Sequence, residues 1–383
     1  MENDDSVGKL GSVAGLWAMK HALLTPASSS SSATRSADGD AAKAIVEDHL
    51  SPGILVSRYV PDFVQDCMRR GFAATAAVSS SAWTATSSVW THERTGVRIR
   101  QCSASPSSRS PREDHDALRG VMEFILEFMW YLREHGGPAS SAAAFPRELV
   151  VSTLACDVPR TFPARRGDPL GPRHLNGGVC TFTSRDVRHV LVYRAQHMPK
   201  VLMHELVHAC GVGSAVSGSS SVVLAERDVM RELRYASASG GLHADEAFTE
   251  ILACHAHMFW RATGKARARD DLRGAVFEEW LKDTLYVMWD AERRLYLGVC
   301  RAVADHFRPA LMREDTHVMS YLFAKAALWD SCLDRVPAVI VREREAERFA
   351  DLYRRRLLAN DFWSTIRDFP ASEIPSTPLM TGL

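Results

Sequence analysis

Apolar side chains recur at helical spacing between residues 114 and 134, a pattern typical of an amphipathic helix. They fall at Leu118, Val121, Met122, Ile125, Leu126, Met129 and Leu132. The short apolar run over 148–156 is rich in β-branched residues and predicts a buried strand. Two further strands are predicted over 175–183, beginning at a Gly-Gly bulge, and over 188–195. Beyond Leu242 the pattern is again mostly helical. This order predicts an α+β fold.

The N-terminal third has a different composition. Residues 26–41 are Ser-rich and poor in apolar side chains, so we expect a disordered tail over 1–44. The region 45–112 is predicted to hold a hairpin over 89–100, turning near Thr95-Gly96, and a Ser-rich surface loop over 103–111. A core over 113–260 and a helical C-terminal subdomain over 261–383 complete the predicted organisation.

One short segment carries candidate chemistry, because residues 204–208 read His-Glu-Leu-Val-His, an HExxH pattern. Pro199 suits the first turn of a helix, and Gly211 and Gly213 suit its end. Histidines four apart lie on one helical face and can both reach one Zn²⁺. Glu205, between them, can then lie beside the metal as a general base. The competing interpretation is a core helix with two surface histidines.

A catalytic zinc usually needs a third protein ligand. The longer pattern HExxHxxGxxH would place a histidine where this chain has Ser214, a poor ligand. The first downstream candidate is Glu226, 18 residues after His208, among charged neighbours that resemble a solvated helix face.

The favoured third ligand is Glu246, because Glu250 follows it by one helical turn on the same face. One of these carboxylates can bind the metal while the other accepts the free N–H of a ligating histidine. His243 and Asp245 are minor alternatives.

These segments together resemble the gluzincin zinc metallopeptidases, in which a glutamate on a second helix completes an HExxH site. The resemblance implies that Glu246 is a ligand, Glu250 supports a histidine and Glu205 is the base, in a zincin-like core whose small β-sheet has an edge strand over the active-site helix. The segments over 175–182, 189–208, 245–253 and 316–328 are also similar, in order, to uncharacterised HExxH proteins of large DNA viruses.

Substrate contacts are expected on an edge strand, which in such peptidases pairs with the substrate backbone. Asn176, Gly177, Gly178 and Val179 are the candidates, because the two glycines would allow close backbone approach. Tyr321 is the candidate donor to the transition-state oxyanion by its place in the virus-type motif. His317 lies one turn before Tyr321, and Lys325 one turn after, as a supporting charge.

The charge balance and the cysteine usage indicate which classes of partner and which compartment to expect. Lys+Arg and Asp+Glu both total 46, so the net charge of zero predicts neither a nucleic-acid nor a membrane partner. The arginines over 342–356 alternate with acids, as on a solvated helix. Eight scattered cysteines, Cys210 among them, indicate free buried thiols, and no signal or membrane-spanning run is apparent. An intracellular protein is expected, in host cytoplasm or virion if viral.

The sequence therefore predicts a single-zinc metallopeptidase acting on a peptide or protein substrate. A second interpretation is a catalytically silent zinc-binding structural or interaction protein, viral in origin. Glu205 argues against it, because a purely structural site needs no base. A zinc hydrolase acting on other carbonyl compounds is a third interpretation.

Overall fold

The structure is a computed structural model. It describes residues 83–106, 111–135, 145–156, 158–165, 167–182, 184, 186–235, 241–267, 274–306, 317–332 and 343–376. The tail predicted to be disordered lies outside the described residues. Among those described, no helix is both long enough and apolar enough to cross a bilayer.

One mixed sheet of five strands forms the β part of an α+β fold. Its strands are β1 (Trp83–Thr91), β2 (Arg98–Pro106), β3 (Glu148–Cys156), β4 (Gly178–Phe182) and β5 (Val187–Arg194). The spatial order is β1-β2-β3-β5-β4, in which β2, β3 and β5 are parallel and the two outer strands are antiparallel to their neighbours. Every residue of β3 after Glu148 is buried, as its apolar run predicts for a central parallel strand.

Helices make up most of the remaining described chain. They are α1 (Pro111–His135), α2 (Pro172–Leu175), α3 (Met198–Ala209), α4 (Val212–Ser217), α5 (Ser220–Glu232), α6 (Ala244–Arg267), α7 (Gly274–His306), a π-helical turn (Met319–Ala324) that continues into α8 (Lys325–Cys332), α9 (Glu343–Leu357) and α10 (Asn360–Arg367). The predicted helical C-terminal half is therefore confirmed.

The HExxH segment lies on α3, a helix whose residues are mostly buried. This helix packs between the sheet, through β4 and β5, and the helices α1 and α6. Leu202, Met203, Leu206 and Val207 are fully buried along it. Replacing Leu206 by alanine would cost about 2–5 kcal/mol of stability, the usual range for a buried leucine. The core of the fold is therefore also the support of the candidate site.

The predicted hairpin forms, with Gly96 in the left-handed region (φ 70°) between β1 and β2. Two expectations nearby need correction. The predicted Ser-rich loop begins as strand, since β2 runs to Pro106, pairing with β1 along its length and with β3 up to Ala104. The hairpin and the core share one sheet, and the predicted boundary between residues 260 and 261 falls inside α6.

Two expectations about glycines are also corrected. Gly211 (φ 73°) follows the end of α3, but Gly213 lies within α4, where a Cβ would approach Thr249 Oγ1 on α6 to 3.4 Å. The predicted Gly-Gly bulge is absent, because β4 and β5 pair in regular register from Gly178 to Phe182. Gly177 and Gly178 instead lie where neighbouring side chains leave no room for a Cβ.

Candidate metal centre

The two histidines of the HExxH segment face the same side of α3. Their ring centroids are 4.7 Å apart, and their Nε2 atoms lie 3.1 Å from each other. His204 is buried and His208 is partly buried. Two solvent-facing histidines on a core helix, the competing interpretation of the sequence, would not converge in this way.

Helix α6 brings a carboxylate to these two nitrogens. Glu246 Oε2 lies 3.1 Å from His208 Nε2 and 3.5 Å from His204 Nε2. This trio is the group of His, Cys, Asp or Glu side chains among the described residues whose donor atoms converge closely enough to hold a metal ion. The ligand set expected from the sequence is thus brought together by the packing of α3 on α6.

The spacing of the three atoms suits zinc. A tetrahedral Zn²⁺ with bonds of 2.0–2.1 Å holds neighbouring ligand atoms about 3.3 Å apart. The observed separations of 3.1, 3.1 and 3.5 Å bracket that value. Two imidazole nitrogens and one carboxylate oxygen are also a donor set that catalytic zinc sites use.

Glu250, one turn further along α6, supports the ring of His204. Its Oε2 lies 2.8 Å from His204 Nδ1, so the ring presents Nε2 to Glu246 and His208. Its Oε1 pairs with two buried ammonium groups, Lys200 from α3 and Lys325 from the start of α8, the latter at 3.0 Å. All four groups are buried, so three helices are tied together at one carboxylate.

The local charges shift the acid–base properties of this cluster. Burial opposes ionisation of Glu250, but the two lysines and His204 outweigh it and hold the pKa of Glu250 well below its usual range. Burial also opposes protonation of His204, yet hydrogen bonds to Glu246 and Glu250 and the nearby negative charges raise its pKa to about 9. The cluster therefore attracts a positive charge strongly.

Glu205 lies beside the cluster, under strand β4. Its side chain is buried, and a Cβ on Gly178 would come within 2.9 Å of its Cγ and Oε1 atoms. Burial raises the pKa of Glu205, and the two neighbouring histidines offset part of that effect. Glu205 is therefore a buried carboxylate that holds a proton more readily than usual, next to the converging histidines.

A cleft opens between the start of β4 and the helices α3 and α6. Its walls include Gly177, Gly178, His204, Glu205 and Tyr321. Of the segment expected to pair with substrate, Asn176, Gly177 and Gly178 line this cleft and Val179 does not. Strand β4, which begins at Gly178, is at the edge of the sheet.

Tyr321 lies in the π-helical turn, against the ring of His204. Its ring centroid is 5.8 Å from that of His204. Burial raises the pKa of Tyr321, and Glu246, Glu205 and Glu250 raise it further, so its hydroxyl keeps its proton. His317 lies farther out and contacts His243, with ring centroids 4.0 Å apart.

The remaining candidates for the third ligand lie elsewhere. Glu226 Oε1 accepts a hydrogen bond of 2.7 Å from the N–H of Ala244, the first residue of α6. His243 Nδ1 is 3.9 Å from Asp245 Oδ1, outside the converging trio. Glu226 thus caps the helix that carries Glu246.

Cys210 directly follows α3, and burial raises the pKa of its thiol to about 12, so it is a poor nucleophile. The cysteines whose side chains the structure describes are all free.

Comparisons of this chain with protein-family models, curated proteins and solved structures give no match.

Two residues at the site, Lys200 and Arg160, did not emerge from the sequence, and a third, Lys325, emerged only in part. Lys200 lies one turn before His204 on the same helical face, and a lysine within such an apolar helix is a signal that could have found it. Lys325 was expected only as a supporting charge near Tyr321. Arg160, which also lines the cleft, comes from an irregular segment without a motif.

Proposed function

We propose that this chain is a zinc-dependent metallopeptidase of gluzincin type. In this proposal His204, His208 and Glu246 hold one Zn²⁺, and Glu205 is the general base. The convergence of three suitable ligand atoms next to a buried carboxylate, in a cleft bordered by an edge strand, is the observation that carries the proposal.

A bound zinc ion would polarise the substrate carbonyl and make a water molecule more acidic. The protein side chains do the rest. Glu205 takes a proton from the attacking water and delivers it to the leaving amine, for which its raised pKa suits it. Tyr321 keeps its proton and is the candidate donor to the oxyanion. The edge strand β4 aligns the peptide backbone.

The geometry favours a peptidase over a purely structural zinc site. A structural site is closed by four protein ligands, whereas three converge here among the described residues. Glu205 is also buried in the cleft wall without belonging to the trio. A catalytically silent zinc protein has no use for that arrangement.

The test uses purified protein loaded with zinc and a mixed peptide library whose products are followed by mass spectrometry. We expect cleavage by the wild-type protein, inhibition by chelator, and a loss of about 10²- to 10⁴-fold in Glu205→Gln, the usual contribution of a general base. Zinc content measured by elemental analysis should be unchanged in that variant. Stoichiometric zinc without any cleavage would instead support the silent interaction protein.

A further inference from the structure

Arg160 is a buried cation with spare hydrogen-bonding capacity. The residue is 1% exposed, yet its guanidinium donates only one hydrogen bond within the described part of the chain, from Nε to Leu175 O at 2.7 Å. The Nη1 atom is buried and has no partner among the described residues. A buried charge without its partner is costly, so such a group usually has a ligand.

A second buried arginine nearby shows what a structural role looks like. Arg194 donates from Nε to Asn176 O (2.7 Å) and from Nη1 to Val158 O and Pro159 O (2.7 and 3.0 Å), and its Nη2 bonds Arg173 O. Arg194 thereby fastens the irregular segments around the site. Arg160 makes no comparable set of contacts, so holding loops in place does not account for it.

The guanidinium of Arg160 lies in the same cleft as the metal centre. Together with Gly177, Gly178, His204 and Glu205 it lines the cleft wall. A Cβ on Gly177 would come within 2.6 Å of Arg160 Nη2, just as one on Gly178 would meet Glu205 at 2.9 Å. Two consecutive glycines thus leave room for the guanidinium and for the base.

The adjacent positions of Gly177 and Gly178 limit the distance between the guanidinium of Arg160 and the carboxylate of Glu205. Because adjacent Cα atoms are about 3.8 Å apart, Arg160 Nη2 and Glu205 Oε1 are at most about 12 Å apart. An extended peptide rises about 3.3 Å per residue, so this separation corresponds to at most about three residues. Leu175 and Val201, both buried, line the same cleft.

We infer that Arg160 binds the carboxylate at the C-terminal end of the substrate, so that the enzyme removes about one to three residues from peptide C-termini. A guanidinium pairs with a carboxylate through two parallel hydrogen bonds, which would occupy the nitrogens that are now unpartnered. The inference rests on the proposed peptidase function for the cleavage step, while the binding of the carboxylate can be tested separately.

The experiment compares three peptides that differ only at their ends. One has a free C-terminal carboxylate, one ends in an amide, and one ends in an amide with glutamate as its last residue. Binding is measured to zinc-loaded Glu205→Gln by calorimetry, and cleavage by the wild-type protein is followed by mass spectrometry. We expect the free acid to bind about 10- to 100-fold more tightly than the amide, since hydrogen bonds to charged groups contribute that much.

Variants assign the preference to the guanidinium. On the Glu205→Gln background, Arg160→Gln should bring acid and amide to equal affinity, and Arg160→Lys should restore part of the difference. Arg165→Gln, at an exposed position five residues along, should retain the full preference. Thermal melts establish that each variant is folded. The comparison of the acid with the amide peptide is also made with Arg160 intact, so it tests the inference even if the Arg160 variants do not fold.

The outcomes separate this inference from the proposed function. Equal binding of acid and amide, or tighter binding only when glutamate is added, overturns the assignment of Arg160 to the C-terminal carboxylate. Cleavage of both peptides at equal rates also overturns it and leaves the peptidase proposal intact. Selective binding of the acid without any cleavage supports Arg160 as the carboxylate site and refutes the peptidase.

Discussion

The buried carboxylate of Glu250 gives the sharpest prediction about stability. It is 1% exposed and balances two ammonium groups that are equally buried, Lys200 and Lys325. In Glu250→Gln both cations would stay in the interior without a counter-charge. Breaking one buried ion pair costs about 3–5 kcal/mol, so we expect a loss of at least that size. In a domain of this size such a loss lowers Tm by roughly 10 °C.

Removing one lysine should cost less than removing the glutamate. In Lys325→Met the pair of Glu250 with Lys200 remains, and methionine fills much of the same volume over the ring of Tyr296. We expect a loss below about 2 kcal/mol. The double variant Glu250→Gln with Lys325→Met should then be more stable than Glu250→Gln alone, because one of two unpaired cations has gone.

The assay is urea unfolding in the presence of chelator, so that metal binding to the folded state does not enter the free energy of unfolding. Glu279→Gln, at an exposed position on α7, is the control and should leave that free energy unchanged. Strictly additive effects of the two substitutions, or a cost of less than about 1 kcal/mol for Glu250→Gln, would refute the role given to this carboxylate.

Three further predictions concern the site itself. Glu246→Gln should lower zinc affinity by about 100-fold or more, because one of the three proposed ligands is lost, whereas Glu226→Gln should leave that affinity nearly unchanged. The reverse result would assign the third ligand to Glu226. The metal-free protein should lose stability as pH rises from 6.5 to 9, because the pKa of His204 is raised to about 9 in the folded state. Zinc affinity should rise over the same pH range, because zinc binds the deprotonated imidazole. Urea unfolding and zinc titration at several pH values test the direction of each change. Gly178→Ala should lower stability by about 1–3 kcal/mol and impair catalysis, because its Cβ would meet Glu205 and Leu191 O at 2.9 Å. Gly264→Ala, which has open space around it, should change neither stability nor activity appreciably.

The parts of the fold that follow local rules were predictable. The helical spacing of apolar positions in the 25-residue α1 and the buried run of β3 are properties of single segments, and both elements formed where the pattern indicated. The shared orientation of His204 and His208 was predictable for the same reason, because side chains four residues apart on a helix lie on one face.

Features that depend on long-range packing were less accessible. Glu246 was favoured as the third ligand because Glu250 lies one turn away. Only the packing of α6 on α3, however, brings Glu246 Oε2 within 3.5 Å of both histidine nitrogens. The Gly177-Gly178 pair was expected to form a bulge, whereas the glycines make room for Arg160 and Glu205, which come from distant segments. No local pattern distinguishes Arg160 from Arg194, because the difference lies in which carbonyl groups each one reaches.

The placement of the three proposed zinc ligands also has a consequence for how the protein matures. Two of the three leave the ribosome together on one short segment, and the third follows 38 residues later. A chain that is still unfolded can therefore already hold zinc weakly through the histidine pair. Any such affinity of the unfolded chain reduces the gain in melting temperature on adding zinc, which should fall short of what the affinity of the folded protein alone would give.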